Sequence, residues 1–298
     1  MSYTNIALFG AGGDIGAPIL KALVNSNKFK VTAIGRKQSS VQVPSSVSLL
    51  KVDYGNHREL VEALRGQDAI VITLGDLATL EKNTRAIVEA AIEVGVKRVI
   101  PSDFGHDLTH LPGSSYPVFA PKHQINKYLA EKGSQIEYTA IATGVFFDWG
   151  LRSKFIGFDI PNRKVKIYGD GTHKFNATNV DSIADAVINI LTNPTPFTNQ
   201  HLRIHDFYVS QNEIKAALES IIGVPFEVER IDVDRLEKDI TAALASGDYT
   251  TPTVYGLIKV YLLGNNSSSA WGEEDDTAAV GLVKKDLSTE IQKVVDSQ

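Results

Sequence analysis

The chain has 298 residues, of which 43% are hydrophobic and 22% charged, with a net charge of −5 and no cysteine. This composition allows one large α/β domain with a smaller lobe, excludes disulfides and thiolate chemistry, and argues against nucleic acid as a partner. The N-terminal stretch MSYTNIALFGAGG lacks a basic start, and no apolar run approaches the roughly 20 residues that span a membrane. We therefore expect a cytoplasmic protein without a signal peptide or membrane segment.

The first half of the chain alternates short β-rich runs with helical patterns. In chain order, the predicted elements are strand 4–10, helix 16–26, strand 29–35, strand 47–53, helix 57–66, strand 68–75, a helix over roughly 80–94, a strand running into a loop over 96–105, helix 121–133 and strand 136–144. This alternation predicts an α/β fold with a Rossmann-type, doubly wound parallel sheet. We predict a Rossmann domain over 1–150, to which 176–200 returns, and a smaller α-rich C-terminal substrate lobe over 151–298.

The first predicted strand runs into a glycine-rich loop, GAGGDIG at 10–16, which precedes a helix. Glycines permit the tight turn and a close backbone approach, and the helix N-terminus offers N–H donors to an anion. This context predicts a dinucleotide pyrophosphate site, and the alternative is a glycine-rich turn without a ligand. The carboxylate of Asp14 would repel phosphate, so we expect it to turn away and cap the helix. The predicted cofactor contacts in this loop are Gly10, Gly12, Gly13, Asp14, Ile15 and Gly16.

The second predicted strand ends in Gly35, Arg36 and Lys37, where NAD enzymes usually carry an acidic residue for the ribose hydroxyls. Two cations and no acid favour a 2′-phosphate, so the predicted cofactor is NADP(H), bound by Arg36 and Lys37. The alternative is that both are solvated loop cations. Asp53, after the third strand, is a candidate adenine contact or a turn residue, and Gly75, after the fourth, is a further candidate cofactor contact.

Residues 121–133, PKHQINKYLAEKG, contain three lysines and a Tyr-x-x-x-Lys pattern from Tyr128 to Lys132. Ligands of an open α/β sheet bind beyond the carboxyl ends of its strands, and a helix that follows a strand starts on that side. Lys122 therefore lies at the cofactor edge. Lys132 lies about 15 Å farther along the helix axis. We predict that Lys122 is catalytic and that Tyr128 and Lys132 are not.

Several different motifs occur, each once, in a characteristic order along most of the chain. They are GAGGDIG at 10–16, Arg36, PSDFG at 101–105, Lys122 opening a helix that ends in EKG at 131–133, ATGVFFDWG at 142–150 and YGDGTHKFNATNVDSIA at 168–184. In this combination the chain resembles the NmrA-like, isoflavone-reductase-like family of atypical short-chain dehydrogenases, which includes phenylcoumaran benzylic ether and pinoresinol–lariciresinol reductases. The resemblance implies that Lys122 is the general acid or base beside the nicotinamide. Plant reductases of this family carry arginine where Asn126 stands, so substrate specificity is not carried over.

The expected function is an NADPH-dependent reductase that transfers hydride to an aromatic, phenolic or conjugated small molecule, with Lys122 exchanging the proton. Burial, a nearby positive nicotinamide and the helix dipole would lower the pKa of this lysine. The predicted substrate contacts are Phe104, His106, Phe146 and Phe147, although such residues more often belong to the core or to polar loops.

The alternative function, implied by the same family, is a non-catalytic NADP(H)-binding redox sensor or regulator. Such a protein needs the glycine loop but no catalytic lysine, and Lys122 favours the enzyme. No paired-histidine pattern predicts a metal site, and a monomer or homodimer is expected.

Overall fold

The computed structural model describes residues 3–109, 117–264 and 270–298. The strands, numbered in chain order, are β1 (Asn5–Phe9), β2 (Lys30–Arg36), β3 (Ser48–Val52), β4 (Ala69–Ile72), β5 (Arg98–Ile100), β6 (Glu137–Ala142), β7 (Val145–Phe146), β8 (Phe158–Asp159), β9 (Lys164–Tyr168), β10 (Lys174–Thr178), β11 (Gln200–Arg203), β12 (Phe207–Ser210) and β13 (Glu227–Ile231). The α-helices are α1 (Gly16–Asn25), α2 (His57–Leu64), α3 (Leu77–Glu93), α4 (Ala120–Lys132), α5 (Phe147–Arg152), α6 (Val180–Thr192), α7 (Gln211–Ile222), α8 (Val233–Ala245), α9 (Thr251–Leu263) and α10 (Leu287–Asp296).

Seven strands form one parallel sheet in the order β11-β6-β5-β4-β1-β2-β3. Strands β4 and β5 are buried along their whole length, as expected for strands that are covered on both faces. Helices α1 and α6 pack on one face of the sheet, and α2, α3 and α4 pack on the other. This arrangement confirms the predicted α/β fold class with a Rossmann-type, doubly wound sheet.

The observed elements lie close to the predicted ones, and the differences have local causes. Helix α3 begins at Leu77 rather than at residue 80, because the side chain of Asp76 accepts the Ala78 N–H at 3.2 Å and caps the helix. Within the predicted strand-and-loop stretch 96–105, strand β5 ends at Ile100. Pro101 follows it, and proline lacks the N–H that a central strand donates.

After strands β7 to β10, which lie outside the large sheet, the chain returns to that sheet. Strand β11 pairs with β6 at one edge of the sheet, and α6 packs against α1. Arg98 of β5 is fully buried and connects these parts. Its guanidinium donates to Thr139 Oγ1 at 2.9 Å, to Pro194 O at 2.8 Å and to Thr198 Oγ1 at 2.7 Å, and it also pairs with Glu137.

The second lobe contains helices α7 to α10 together with two three-stranded sheets, β12-β10-β7 and β13-β9-β8. Its own hydrophobic core includes the fully buried Phe147, Phe158 and Phe175. The sequence pattern predicted the helical character of this lobe but not its short strands. No helix within the described residues combines the length and the apolar character needed to cross a membrane.

Candidate active site

The loops after β1, β4 and β5 meet at the carboxyl edge of the large sheet, where the strand order reverses between β1 and β4. Thr73, directly after β4, donates its hydroxyl to Phe9 O at 2.7 Å. Ser102 donates its hydroxyl to Leu74 O at 2.7 Å and so connects the loop after β5 with the loop after β4. Gly75 is exposed in the loop after β4. These bonds hold the three loops together as one ligand-facing edge.

The glycines of the first loop have different structural roles. Gly10 has a φ of +84°, and a Cβ there would lie 2.7 Å from Thr73 O. At Gly16 a Cβ would lie only 2.0 Å from Gly10 O. At Gly13, which is exposed, the nearest atom to a Cβ would be Gly10 O at 3.5 Å, an ordinary contact. The fold therefore requires glycine at positions 10 and 16, whereas Gly13 leaves open backbone that a phosphate could approach.

Helix α1 begins directly behind this loop. No side chain caps its N-terminus, and its first turn carries no acidic residue. The prediction that Asp14 caps the helix was therefore wrong: Asp14 is exposed, and Ile15 holds the N-cap position. Since no side chain accepts the first-turn N–H groups, they fit an anionic ligand such as the cofactor pyrophosphate.

The end of β2 is positively charged. Arg36 is exposed and forms no ion pair with the described residues. The Lys37 ammonium lies 2.7 Å from the Glu59 carboxylate, and this hydrogen bond raises the pKa of Lys37. Asp53 Oδ1 accepts the Gly55 N–H at 2.9 Å and so stabilises a turn. Of these two cations, Arg36 is the one without an acidic partner among the described residues, and it can meet a phosphate.

Lys122 lies in the first turn of α4, on the ligand side of the sheet. Its Nζ donates to the backbone oxygens of Asp103 at 3.2 Å and Phe104 at 3.4 Å. A Cβ at Gly105 would lie 3.6 Å from the same nitrogen. The ammonium is therefore anchored on the loop that follows β5, next to the β4 and β1 loops.

A buried acidic residue, Asp103, lies beside this ammonium. Burial lowers the pKa of Lys122, and the charge of Asp103 opposes that shift. Burial in turn raises the pKa of Asp103, against the effects of Lys122 and Asn126. Asn126 Nδ2 donates to Asp103 Oδ2 at 3.2 Å, whereas Asp103 Oδ1 is buried without a hydrogen-bond partner among the described residues. Asp103 is therefore an acidic neighbour of Lys122. No other cation of the described chain lies within hydrogen-bond distance of its carboxylate.

His106 is nearly buried on the same loop. Its ring lies 4.7 Å from the ring of Phe119, the residue before α4. Burial and the charge of Lys122 lower the pKa of His106 to about 4. The imidazole is therefore neutral at physiological pH.

The three predicted phenylalanine contacts lie in different environments. Phe104 is almost buried in the core beneath the large sheet, and Phe146 is half-buried at the edge of the same core. Phe147 has no exposed surface, and its ring packs 4.5 Å from the ring of Phe207 in the core of the second lobe. A substrate cannot reach Phe147 in this structure, so the prediction that Phe147 contacts the substrate was wrong.

The Tyr-x-x-x-Lys pair lies on another side of the molecule. The Tyr128 hydroxyl donates to Glu89 of α3 at 2.6 Å, and the Lys132 ammonium lies 3.2 Å from the same carboxylate. Burial and this hydrogen bond raise the pKa of Tyr128 well above its ordinary value, so the phenol remains protonated. Both side chains join α4 to α3 and do not contact the loop that anchors Lys122.

The sequence did not predict a role for Thr73 or Asp103, and it marked Asn126 only as a departure from the arginine of plant reductases. Asp103 carried a usable signal, because it is a carboxylate directly after a buried strand in the PSDFG stretch. The contribution of Asn126 depends on a contact between α4 and the loop after β5, and no sequence spacing predicted it. Within the described residues, no cluster of histidine or carboxylate side chains has the arrangement of a metal site.

The NmrA-like family model matches residues 2–265 of the chain. The oxidoreductase aprR of Aspergillus flavus is 31% identical over 246 residues, which cover 81% of this chain and 82% of that protein. The isoflavone reductase of Cicer arietinum is 28% identical over 250 residues, covering 80% of this chain and 77% of the relative. The chain therefore belongs to the NmrA-like family, as predicted, and these relatives confirm the predicted class, an oxidoreductase of the isoflavone-reductase type.

Solved structures have the same fold. A crystal structure of isoflavone reductase superposes with a TM-score of 0.79 over 100% of both chains, at 23% identity. The leucoanthocyanidin reductase of Vitis vinifera, solved as a binary complex with NADPH, gives a TM-score of 0.76 over 98% of this chain and 99% of that chain, at 19% identity.

Proposed function

We propose that this protein is an NADPH-dependent reductase that transfers hydride to a conjugated carbon of an aromatic or phenolic small molecule. The observation that carries the proposal is the position of Lys122. Its ammonium is anchored at the carboxyl edge of the sheet, where a nicotinamide lies in folds of this class.

The proposed cofactor is NADP(H). Gly13 and the uncapped N-terminus of α1 offer open backbone and N–H donors for the pyrophosphate. Arg36, without an acidic partner among the described residues, is proposed to bind the 2′-phosphate. Lys37, Asp53 and Gly75 remain candidate contacts along the same edge.

Lys122 is proposed to act as the general acid. When bound, the reduced nicotinamide supplies the hydride. Hydride addition to a conjugated carbon leaves negative charge on the substrate oxygen, and Nζ donates a proton to that oxygen. Solvent then returns a proton to the amine. Burial makes this proton easier to release, while the carboxylate of Asp103 keeps the ammonium populated before the reaction.

The substrate is proposed to bind between the loop after β5 and the start of the second lobe. Phe104, His106 and Phe146 remain candidate contacts there. A neutral His106 donates or accepts one hydrogen bond without adding a second positive charge beside Lys122. This environment suits a phenol or a conjugated carbonyl compound.

Single-turnover oxidation of NADPH, measured against a panel of phenolic and quinone compounds, tests the proposal. Lys122→Ala should reduce the rate by about 10²–10⁴-fold, since a general acid typically contributes that much. Lys132→Ala is the matched control: it removes an ammonium from the far end of the same helix and should leave the rate nearly unchanged. A rate that depends on Lys132 and not on Lys122 would contradict the assignment. Tight NADPH binding without turnover of any compound would favour the redox-sensor function.

A further inference from the structure

A continuous row of four aromatic side chains leads away from the candidate active site. We call Phe146, Trp149, Phe155 and Tyr255 the aromatic row. Successive ring centroids are 6.3 Å, 5.4 Å and 5.4 Å apart, in edge-on or tilted contacts. None of the four rings is fully buried, and Tyr255 is 40% exposed. A partly exposed aromatic strip of this kind offers ring edges and faces against which an aromatic ligand can pack.

The row begins beside the loop that anchors Lys122. The backbone N–H groups of Thr143 and Gly144, shortly before Phe146, donate to Gly105 O at 2.9 Å and 2.8 Å. A Cβ at Gly105 would lie 3.6 Å from the Lys122 ammonium. Phe146, the first ring of the row, also packs against the core cluster that contains Phe104 of the same loop.

Helix α9 closes the other end of the row. Tyr255, Ile258 and Lys259 are spaced i, i+3 and i+4 and share one face of this helix. Tyr255 and Lys259 contact the ring of Phe155. Ile258 packs on the cluster that contains Phe119, which stacks on His106. One face of α9 thus touches both the aromatic row and the segment that precedes Lys122.

Lys259 is a half-buried cation on this face of α9. Its ammonium lies 5.2 Å from the centroid of the Phe155 ring, and it forms no ion pair with any carboxylate of the described chain. Burial and the charge of Lys166 lower the pKa of Lys259. The contact with the Phe155 ring compensates part of the cost of desolvating this ammonium, and an anionic ligand would compensate more.

We propose that the partly exposed surface along the aromatic row binds an aromatic carboxylate, whose ring packs against the row and whose carboxylate pairs with Lys259. This inference rests on the proposed function, because it takes Lys122 as the end of the bound compound at which reduction occurs. It adds a substrate class: a planar aromatic compound with an anionic group at the end remote from the reacting carbon. An uncharged aromatic compound would leave the Lys259 ammonium unpaired.

The test compares two probes of the same shape, para-hydroxycinnamate and its methyl ester, which differ in one negative charge. Binding to the complex of the protein with NADP⁺ is followed by quenching of tryptophan fluorescence, so no turnover is needed. Wild type should bind the acid more tightly than the ester. Lys259→Gln should weaken binding of the acid by about tenfold or more and leave the ester unchanged, as expected for loss of a charge-assisted contact.

Two further variants make the result specific. Lys238→Gln removes an exposed ammonium from α8 and should change neither affinity. Lys122→Ala should retain binding of the acid, so that failure of the hydride-transfer proposal is distinguished from failure of this one. Equal affinity of wild type for acid and ester, no measurable binding of the acid, or equal weakening of both probes by Lys259→Gln would each overturn the inference.

Discussion

Replacing Gly13 by valine separates cofactor binding from folding. A Cβ at this exposed position would meet only Gly10 O at 3.5 Å and Thr73 O at 4.0 Å. The free energy of unfolding should therefore change by no more than about 0.5 kcal/mol, as for most surface substitutions. The side chain would occupy the space through which a pyrophosphate approaches the backbone. Loss of two charge-assisted hydrogen bonds, at about 1.5–3 kcal/mol each, should weaken NADPH binding by about 100-fold or more.

Gly16→Ala is the matched comparison. Its Cβ would lie 2.0 Å from Gly10 O and 2.7 Å from Thr73 Oγ1, so the loop must shift, at a cost of about 1–3 kcal/mol in stability. Both variants are measured by chemical unfolding and by NADPH fluorescence titration. Gly13→Val should be folded and unable to bind, whereas Gly16→Ala should be less stable. Normal NADPH affinity in a folded Gly13→Val protein would refute the assignment of this loop as the phosphate site.

Two more predictions concern charge. Wild type should bind NADPH more tightly than NADH, and Arg36→Ala should weaken NADPH binding by about tenfold or more without affecting NADH, because only NADPH carries the 2′-phosphate; equal wild-type affinities in a fluorescence titration would contradict this. Burial holds the folded-state pKa of His106 at about 4, below its ordinary value of 6.5, so the unfolded chain binds a proton first as the pH falls. The free energy of unfolding should therefore fall by up to roughly 3 kcal/mol as the pH is lowered from 6.5 to about 4. In urea titrations over the same pH interval, the free energy of unfolding of His106→Asn should fall by about 3 kcal/mol less than that of the wild type. An identical pH dependence of the two proteins would show that His106 does not titrate in this way.

The strands and helices of the first lobe were predictable because each follows from a local pattern. The apolar run 68–75 and the glycine loop at 10–16 encode a buried strand and a tight turn within a few neighbouring residues. The direction of α4 also followed from the sequence, because a helix after a parallel strand must start at the ligand edge. That rule is what separated Lys122 from Lys132.

The rest of the site depends on contacts between distant residues. Phe146 and Phe147 are adjacent and identical in type, yet one lies half-buried beside the loop of Lys122 and the other is sealed in the second core. The turn from β7 into α5 separates the two rings, because it directs Phe146 towards the core of the first lobe and Phe147 into the core of the second lobe. The polar bond between Asn126 and Asp103 likewise crosses from a helix to a loop, and no spacing in the sequence reports it.

The buried guanidinium of Arg98 has a consequence for biosynthesis. It lies in β5, but two of its acceptors, Pro194 O and Thr198 Oγ1, belong to residues that are synthesised almost a hundred positions later. Until that segment has left the ribosome, a nascent chain would hold a guanidinium with unfilled donors, and β6 would be an uncovered strand edge. The cofactor-binding half therefore cannot complete its fold during translation until about residue 203 has emerged, and a fragment that ends near residue 150 would lack the residues that close its own sheet.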